Sequence, residues 1–484
     1  MQHYNKRYKY YLIIASIFSS LFIDILIWSS FVPEDGEVSK FVVYGFIGTY
    51  FGLLILSIIV SILTWHYTTY GLTDDGVVLK KGIIFKSTKI VPYEKIHAVD
   101  TQQNLLHLVF GLKKLSIHSG STTKADMVEI KIIESSKITT NLEKEIRSRM
   151  SSLARVDLVE GKDDNGEEVI YYYSKKQKLM VSLLQTIVFI IISVPIIAMI
   201  AIPILLIPDP ELEDLSIYFI LVIVVGLWFI VFISSYVFNL IRYFNYRVFM
   251  KDGYLLINHG LITKYNNTLP LNKIKAIKIE ENIFERMFRL CKIKVEVVGF
   301  GLQTNNEQQV VNYFIPFCYK KEVNKYISKL RLKYEFKERS MLPPRRALKY
   351  FDSLHLYIFT LIYLPLLPIV FLIENLTIAM LVYIGVYLFV GLIIYLVNLL
   401  RYSNSGLYID DELVIVNNGS LNKKNTIILR ENVTTIDKVD TYCRKRKNIA
   451  SFNIHYFNTA YKNVEKVHLI DADNIDKINN IIIY

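Results

Sequence analysis

Six apolar stretches, none holding a lysine or arginine, interrupt this chain at residues 11–32, 41–64, 179–207, 215–241, 353–373 and 377–400. A helix rising about 1.5 Å per residue needs roughly 20 apolar residues to cross the hydrocarbon core of a bilayer. The sequence therefore predicts six transmembrane helices, paired into three hairpins. The first stretch is too long for a cleaved leader, lacks a small-residue cleavage site and runs at once into a second span, so it reads as an anchor. The third holds Pro195 and Pro203, and the fifth Pro365 and Pro368, so both are expected to bend or break. Between the hairpins lies mixed sequence of ordinary composition, which predicts folded domains outside the membrane.

Charge predicts the orientation. The three short connections within the hairpins carry one base, Lys40, and eight acids: Glu34, Asp35, Glu37, Asp209, Glu211, Glu213, Asp214 and Glu374. The other 55 lysines and arginines fall on the opposite side. The positive-inside rule then places both termini and every large segment in the cytoplasm, on a multi-pass cell-membrane protein. Cys291, Cys318 and Cys443 lie on that side, where no disulfide is expected, and their spacing suits no metal. The expected layout is a hairpin over 1–65, a domain over 66–178, a hairpin over 179–241, a domain over 242–352, a hairpin over 353–400 and a domain over 401–484.

The three domains repeat one another. Gly82, Gly260 and Gly419 each close a β-like run, at 77–81, 254–259 and 413–418. Ten residues on stand Pro92, Pro270 and Leu429, and fourteen on stand Ile96, Ile274 and Val433. Gln103-Asn104 matches Glu281-Asn282, and Leu115 and Ile117 match Ile293 and Val295, and Phe452 and Ile454. In the first copy the pattern predicts a hairpin over 77–91 turning at Gly82, a strand over 95–101 and a helical turn over 104–110. Strands over 113–118 and 127–133 follow, and then a helix over 136–150 with Ile138, Leu142, Ile146 and Met150 on one face. Each copy is thus expected to be a small antiparallel sheet or partly closed barrel finished by a helix. The third copy keeps the apolar positions and the first glycine, but Leu429 and Asn448 replace the proline and the second glycine, Gly111.

The run GLTDDGVVLKKGIIFKSTKIVPYEKIHAVDTQQNLLHLVFGLKKLSIHSGS, residues 71–121, resembles the membrane-flanked bacterial pleckstrin-homology-like (PH-like) domain. It carries that domain's strand-Gly-strand opening, its I-P-x-x-x-I-like step and its Q-x-x-L-x-x-x-x-G-L segment. Three such domains behind three helix pairs resemble the YdbT-like membrane proteins of Gram-positive bacteria. The resemblance implies a pleckstrin-like fold with a C-terminal helix and no known reaction. It also implies a shorter, single-domain relative as partner and a link to envelope stress and tolerance of foreign antimicrobials.

No phosphate-binding loop, dinucleotide fingerprint, zinc-protease helix or nucleophile elbow occurs, so no enzyme and no cofactor is expected. His118 and His455 share one repeat position, which Glu296 fills in the second copy. They read as half-buried strand residues rather than ligands. Asp24, the single acid within a span, admits two readings: a polar site inside the helix bundle, or a structural role, either a helix–helix hydrogen bond or a shallow placement toward the outer leaflet near Trp28. The middle domain holds 22 bases against 10 acids. Lys320, Lys321, Lys325, Lys329, Arg331 and Lys333 are expected along one side of a helix over 319–332, facing anionic headgroups or an acidic partner. Arg345 and Arg346 stand before the third hairpin as interfacial anchors or headgroup contacts. The basic run 444–447 is too short and too close to the membrane to argue for nucleic acid. The expected function is a non-enzymatic membrane scaffold that binds a related single-domain protein or other copies of itself. The alternative is a bundle that moves or shelters a lipid or amphiphile.

Overall fold

A computed structural model describes residues 2–29, 40–119, 128–153, 168–174, 177–184, 186, 214–251, 253–297, 313–370, 376–456 and 464–472. The hairpin connections but for Lys40 and Asp214, the third apolar stretch beyond residue 186 and the acidic segment before residue 168 lie outside these residues.

Where six spans were expected, three described segments are helices long and apolar enough to cross a membrane: Lys6–Ile27, Val42–Tyr67 and Tyr383–Asn404. The fifth stretch breaks where its prolines predict. The Leu348–Tyr363 helix gives way to a 3-10 turn over Leu364–Leu366 and a short helix over Leu367–Val370. Proline has no N–H to give to the preceding turn and clashes with its carbonyl, so the α-helix cannot run through Pro365 unchanged. The Asp214–Arg242 helix follows the fourth stretch.

The strands come in the predicted order. The first copy supplies β2 (Thr69–Leu72), β3 (Gly76–Lys81), β4 (Ser87–Pro92), β5 (Ile96–Gln103), β6 (Leu112–Ser119) and β7 (Val128–Ser135), with β1 (Gln2–His3) added at the N-terminus. The second follows β8 (Glu168–Tyr172) with β9 (Arg247–Lys251), β10 (Tyr254–His259), β11 (Lys264–Pro270), β12 (Ile274–Glu281), β13 (Leu290–Val297) and β14 (Tyr313–Tyr319). The third gives β15 (Gly406–Ile409), β16 (Leu413–Asn418), β17 (Lys423–Leu429), β18 (Val433–Val439), β19 (Ile449–Tyr456) and β20 (Val464–Asp471).

One expectation is corrected. The copies do not each keep a sheet to themselves. The orders are β1-β2-β3-β4, then β7-β6-β5-β11-β10-β9-β8, then β14-β13-β12-β17-β16-β15, then β18-β19-β20. The last three strands of each of the first two copies therefore continue into the opening hairpin of the next copy. A sheet edge presents a row of unpaired amides and carbonyls, and pairing it with a neighbour satisfies them. In keeping with this, the chain divides into two compact units that cut the second copy between β11 and β12: Met1–Tyr172 with Ile241–Asn272 in one, Lys273–Gly301 with Asn312–Tyr484 and Tyr173–Leu240 in the other.

Within the first unit the core lies between β2–β4 and β5–β7. Val77, Leu79 and Val91 meet Val99, Leu115, Ile117, Ile130 and Ile132 there. The Ser136–Leu153 helix closes the core with Ile146 and Met150, while Leu142 packs partly and Ile138 stays exposed. The second unit has the same kind of core, in which Val414, Val416 and Ile428 meet Phe452, Ile454 and Val467.

The three anchor glycines are fixed by geometry. Gly82, Gly260 and Gly419 have φ of 122°, 99° and 105°. A Cβ on them would lie 1.9, 1.9 and 2.0 Å from the carbonyl oxygens of Phe85, Thr263 and Asn422. Gly260→Ala should therefore cost at least about 1–3 kcal/mol, the usual range for a strained backbone position. Thermal unfolding of the purified protein in detergent checks this, and a loss within the roughly 0.5 kcal/mol typical of surface changes would contradict it.

Candidate functional site

The seams between copies hold the most developed constellation of charged side chains among the described residues. They run in one register. Asn266, six residues after Gly260, faces Thr101, nineteen after Gly82. Asn425, six after Gly419, faces Ile279, nineteen after Gly260. The strand residues at these seams are buried: Val99, Thr101, Asn267 and Thr268 at the first, Ile277, Ile279, Asn425, Thr426 and Ile427 at the second.

Each copy carries a pair of titratable side chains bridging neighbouring strands, β5 and β6, β12 and β13, or β18 and β19, at eighteen and thirty-six residues after the anchor glycine. In the first copy His118 Nε2 lies 2.9 Å from Asp100 Oδ2. Burial pushes the Asp100 carboxyl up, and the hydrogen bond and charge of His118 pull it back. Beside this pair, Arg147 of the Ser136–Leu153 helix binds both Glu143 and the hydroxyl of Thr268 in β11, tying the helix to the strand contributed by the next copy.

In the second copy the polarity is reversed. Lys278 Nζ lies 2.6 Å from Glu296 and 2.8 Å from Glu465, a residue of the third copy. Tyr456 donates its hydroxyl to Glu296, and Asn418 donates to Glu465 at 2.9 Å. Burial alone would lower the Lys278 ammonium, but the two carboxylates outweigh it and hold the group above its ordinary value. In the third copy His455 Nε2 lies 2.7 Å from Asp437, with Asp437 largely exposed. The shared position of residues 118, 296 and 455 is legible in sequence. Its meaning needs the partner at the eighteenth position, which only the strand pairing brings into view.

Asp24 is fully buried against the Lys40–Tyr67 helix, where Thr49 donates from Oγ1 to Asp24 Oδ1 at 2.5 Å. This is the helix–helix hydrogen bond of the second reading, while Oδ2 is buried without a hydrogen-bond partner among the described residues.

The expected basic helix over 319–332 is corrected to a 3-10 turn over Lys320–Glu322 and an α-helix over Val323–Ser328. Val323, Ile327 and Leu330 fill the buried face, and the chain then reverses at Arg331, with φ of 55°. Lys329, Arg331 and Lys333 thus stand beyond the helix rather than along it. Lys320 pairs with the buried Glu281 at 3.1 Å, and Lys333 reaches the exposed Glu412 at 3.8 Å. Lys321 and Lys325 are exposed, as are Arg345 and Arg346, and Arg346 pairs with Asp471. Lys320, Lys333 and Arg346 are thus drawn to three separate acids, and the helix ends at Ser328 before Lys329, Arg331 and Lys333 could continue its basic side. Among the described residues no group of three or more His, Cys, Asp or Glu side chains is placed to hold a metal.

Comparison with known proteins agrees with the repeat. The bacterial PH domain family matches residues 22–150, 183–331 and 359–484. Over 313 residues the chain is 28% identical to the UPF0699 transmembrane protein YdbT of Bacillus subtilis (strain 168), a match covering 61% of this chain and 63% of that protein. No solved structure matches. With three matches that together cover most of its length, a repeated array of antiparallel sheets and apolar helices of membrane-spanning length, the chain is a membrane protein that belongs to the bacterial PH domain family.

Proposed function

We propose that this protein is a non-enzymatic membrane scaffold. Its PH-like copies, sharing sheets with the copies next to them in sequence, lie in the cytoplasm, recruit a related single-domain membrane protein and support the cell envelope under antimicrobial stress. The observation that carries the reading is the sharing of sheets: β5 with β11 and β12 with β17. The strand edges of these copies are used to hold copies together, and the buried charges at the seams serve the same end. Six spans, with both termini in the cytoplasm, belong to this proposal and rest on the charge asymmetry of the sequence. A second reading, a bundle that shelters a lipid or amphiphile, draws on Asp24 Oδ2, which has no hydrogen-bond partner among the described residues, and on the helix broken at Pro365.

Affinity purification of the tagged full-length protein in mild detergent distinguishes the two. The scaffold reading expects a second, shorter membrane protein with one PH-like domain in stoichiometric yield. Recovery of bound lipid without any such protein favours the bundle reading and overturns the scaffold.

A further inference from the structure

Two strands occupy seam positions without a seam. Among the described residues β4 pairs only with β3, and β18 only with β19. By repeat position β4 is the counterpart of β11 and β17, and β18 is the counterpart of β5 and β12. The contrast in burial is direct. Ser87, Thr88, Lys89 and Ile90 are exposed, whereas Asn267 and Thr268, and Asn425, Thr426 and Ile427, are buried at the matching stretch of the other copies. Thr434, Thr435, Asp437, Lys438 and Val439 are exposed, whereas β12 has Ile274, Ala276, Ile277, Ile279 and Glu281 buried.

We propose that β18 of one molecule pairs antiparallel with β4 of a second copy of this chain, extending the array head to tail through a third seam of the same register. This deepens the scaffold reading and rests on it for its purpose. Carrying the observed register over places Asp440 opposite Lys86, Asp437 opposite Lys89, and Ile436 opposite Ile90. The same places in the existing seams hold Gln103 opposite Lys264 and Glu281 opposite Lys423, and Val99 opposite Thr268 and Ile277 opposite Ile427. Lysine stands four residues after the anchor glycine in all three copies, facing an acid or amide at each seam. Directly opposed strand residues of opposite charge attract, and like charges repel. Pairing of β4 with β4 sets Lys86 and Lys89 against a strand that holds no acid, whereas β18 offers Asp437 and Asp440 in this register, so the β4 edge is better matched to β18 than to itself. Lysines on an open edge ordinarily discourage aggregation; here they favour a strand with acids or amides at the facing positions, as Lys264 faces Gln103 and Lys423 faces Glu281. In the present structure Asp440 meets Lys438 at 3.4 Å and Asp437 meets His455, exposed contacts that give way readily to a cross-strand partner. The result is a heterologous interface, which closes into a ring or continues as a row according to its rotation.

The test uses full-length protein in native membranes. Cys443 is exposed and is changed to serine; Cys291 and Cys318 are buried and stay. Two differently tagged chains are co-expressed, one carrying Ile90→Cys and the other Ile436→Cys, and oxidised. A disulfide dimer bearing both tags is expected, well above that of a register-shifted pairing of Ile90→Cys with Val439→Cys. Lys89→Asp in the first chain should lower the yield, and Asp437→Lys in the second should restore it. No dual-tag dimer, a yield equal to that of the shifted pair, or, in a single chain carrying both Ile90→Cys and Ile436→Cys, a disulfide formed only within that chain would each overturn the proposal. Crosslinking reads self-association alone and the affinity purification reads recruitment of a different chain, so either reading can fail without the other.

Discussion

Replacing Lys278 by alanine is expected to destabilise the unit that holds it by about 3–5 kcal/mol, the usual cost of stripping one partner from a buried ion pair. Lys278, Glu296 and Glu465 have side chains only 16%, 14% and 9% exposed, and one ammonium answers both carboxylates. Removing it leaves two neighbouring anions with little water, one of them from the third copy. The damage should therefore appear as loosening of the seam between β12 and β17 and of the sheet holding β18–β20. The sign with pH follows from the raised lysine value. The contribution is complete below the ordinary value of about 10.4 and is lost only as pH rises through the higher folded one, so near neutrality it is constant. Lys278→Met combined with Glu296→Gln and Glu465→Gln should recover most of the loss, because no buried charge is then left alone. Lys333→Ala, which removes only an exposed contact with Glu412, should cost less than about 1 kcal/mol. Thermal unfolding and limited proteolysis of the detergent-purified protein read all three variants. A Lys278→Ala loss no larger than that of Lys333→Ala would show that the seam is not held by this triad.

The individual elements were legible because local chemistry decides them. Gly82, Gly260 and Gly419 could be recognised as anchors from sequence, and their positive φ explains why no other residue serves. Asn104 and Asn282 could be matched, and each caps the short helix after it: Asn104 Oδ1 accepts from the His107 amide at 2.8 Å, Asn282 Oδ1 from the Glu285 amide at 2.7 Å. The third copy was harder to read because it drops these markers. Thr441 makes no side-chain cap, yet the turn survives. Gly111, Arg289 and Asn448 stand at one repeat position with φ of 62°, 55° and 54°. A left-handed residue there is a demand of the fold that glycine meets at least cost and that arginine and asparagine meet with the help of surrounding structure. The sharing of sheets was not legible. Alternation of apolar residues says which face of a strand is buried and is silent about which strand lies beside it. The near-continuous burial of β17, where Asn425 and Thr426 are as enclosed as Ile427 and Ile428, is a trace of its double pairing, but polar residues hide it from a hydropathy reading. The basic helix failed for a related reason. Spacing placed its lysines on one side, but the apolar Val323, Ile327 and Leu330 end with the turn at Arg331, and the charges disperse with the chain.

Acidification should loosen the protein between about pH 6.5 and 4, and His259 should account for about 3 kcal/mol of the effect. The ring lies 3% exposed at the end of β10, stacked between Tyr246 and Tyr265 at centroid distances of 5.2 and 4.8 Å. Its Nδ1 is 3.2 Å from the carbonyl oxygen of Arg242. Burial in this aromatic sandwich, aided by the Arg242 charge and opposed by that carbonyl, lowers its value to about 4. An unfolded histidine takes up a proton near pH 6.5, and the folded one refuses it until about pH 4. Stability is therefore complete above the unfolded value and falls with pH across the interval, at about 1.4 kcal/mol per unit for each such group. His107 and His468, both also lowered to about 4 by burial, add to the slope. His259→Phe keeps an aromatic ring between the two tyrosines and removes the proton-binding site. It should cost about 1 kcal/mol at pH 7.5, from the lost bond to Arg242, and should lose less than the parent on going to pH 5. Apparent melting temperatures in detergent at the two pH values decide the matter: converging curves support the assignment, and curves that fall in parallel refute it. Because β10 lies between β9 and β11 in the seven-stranded sheet, any loosening at His259 reaches the first seam within two strands, so acid should also speed proteolysis between β5 and β11 in the parent more than in the variant.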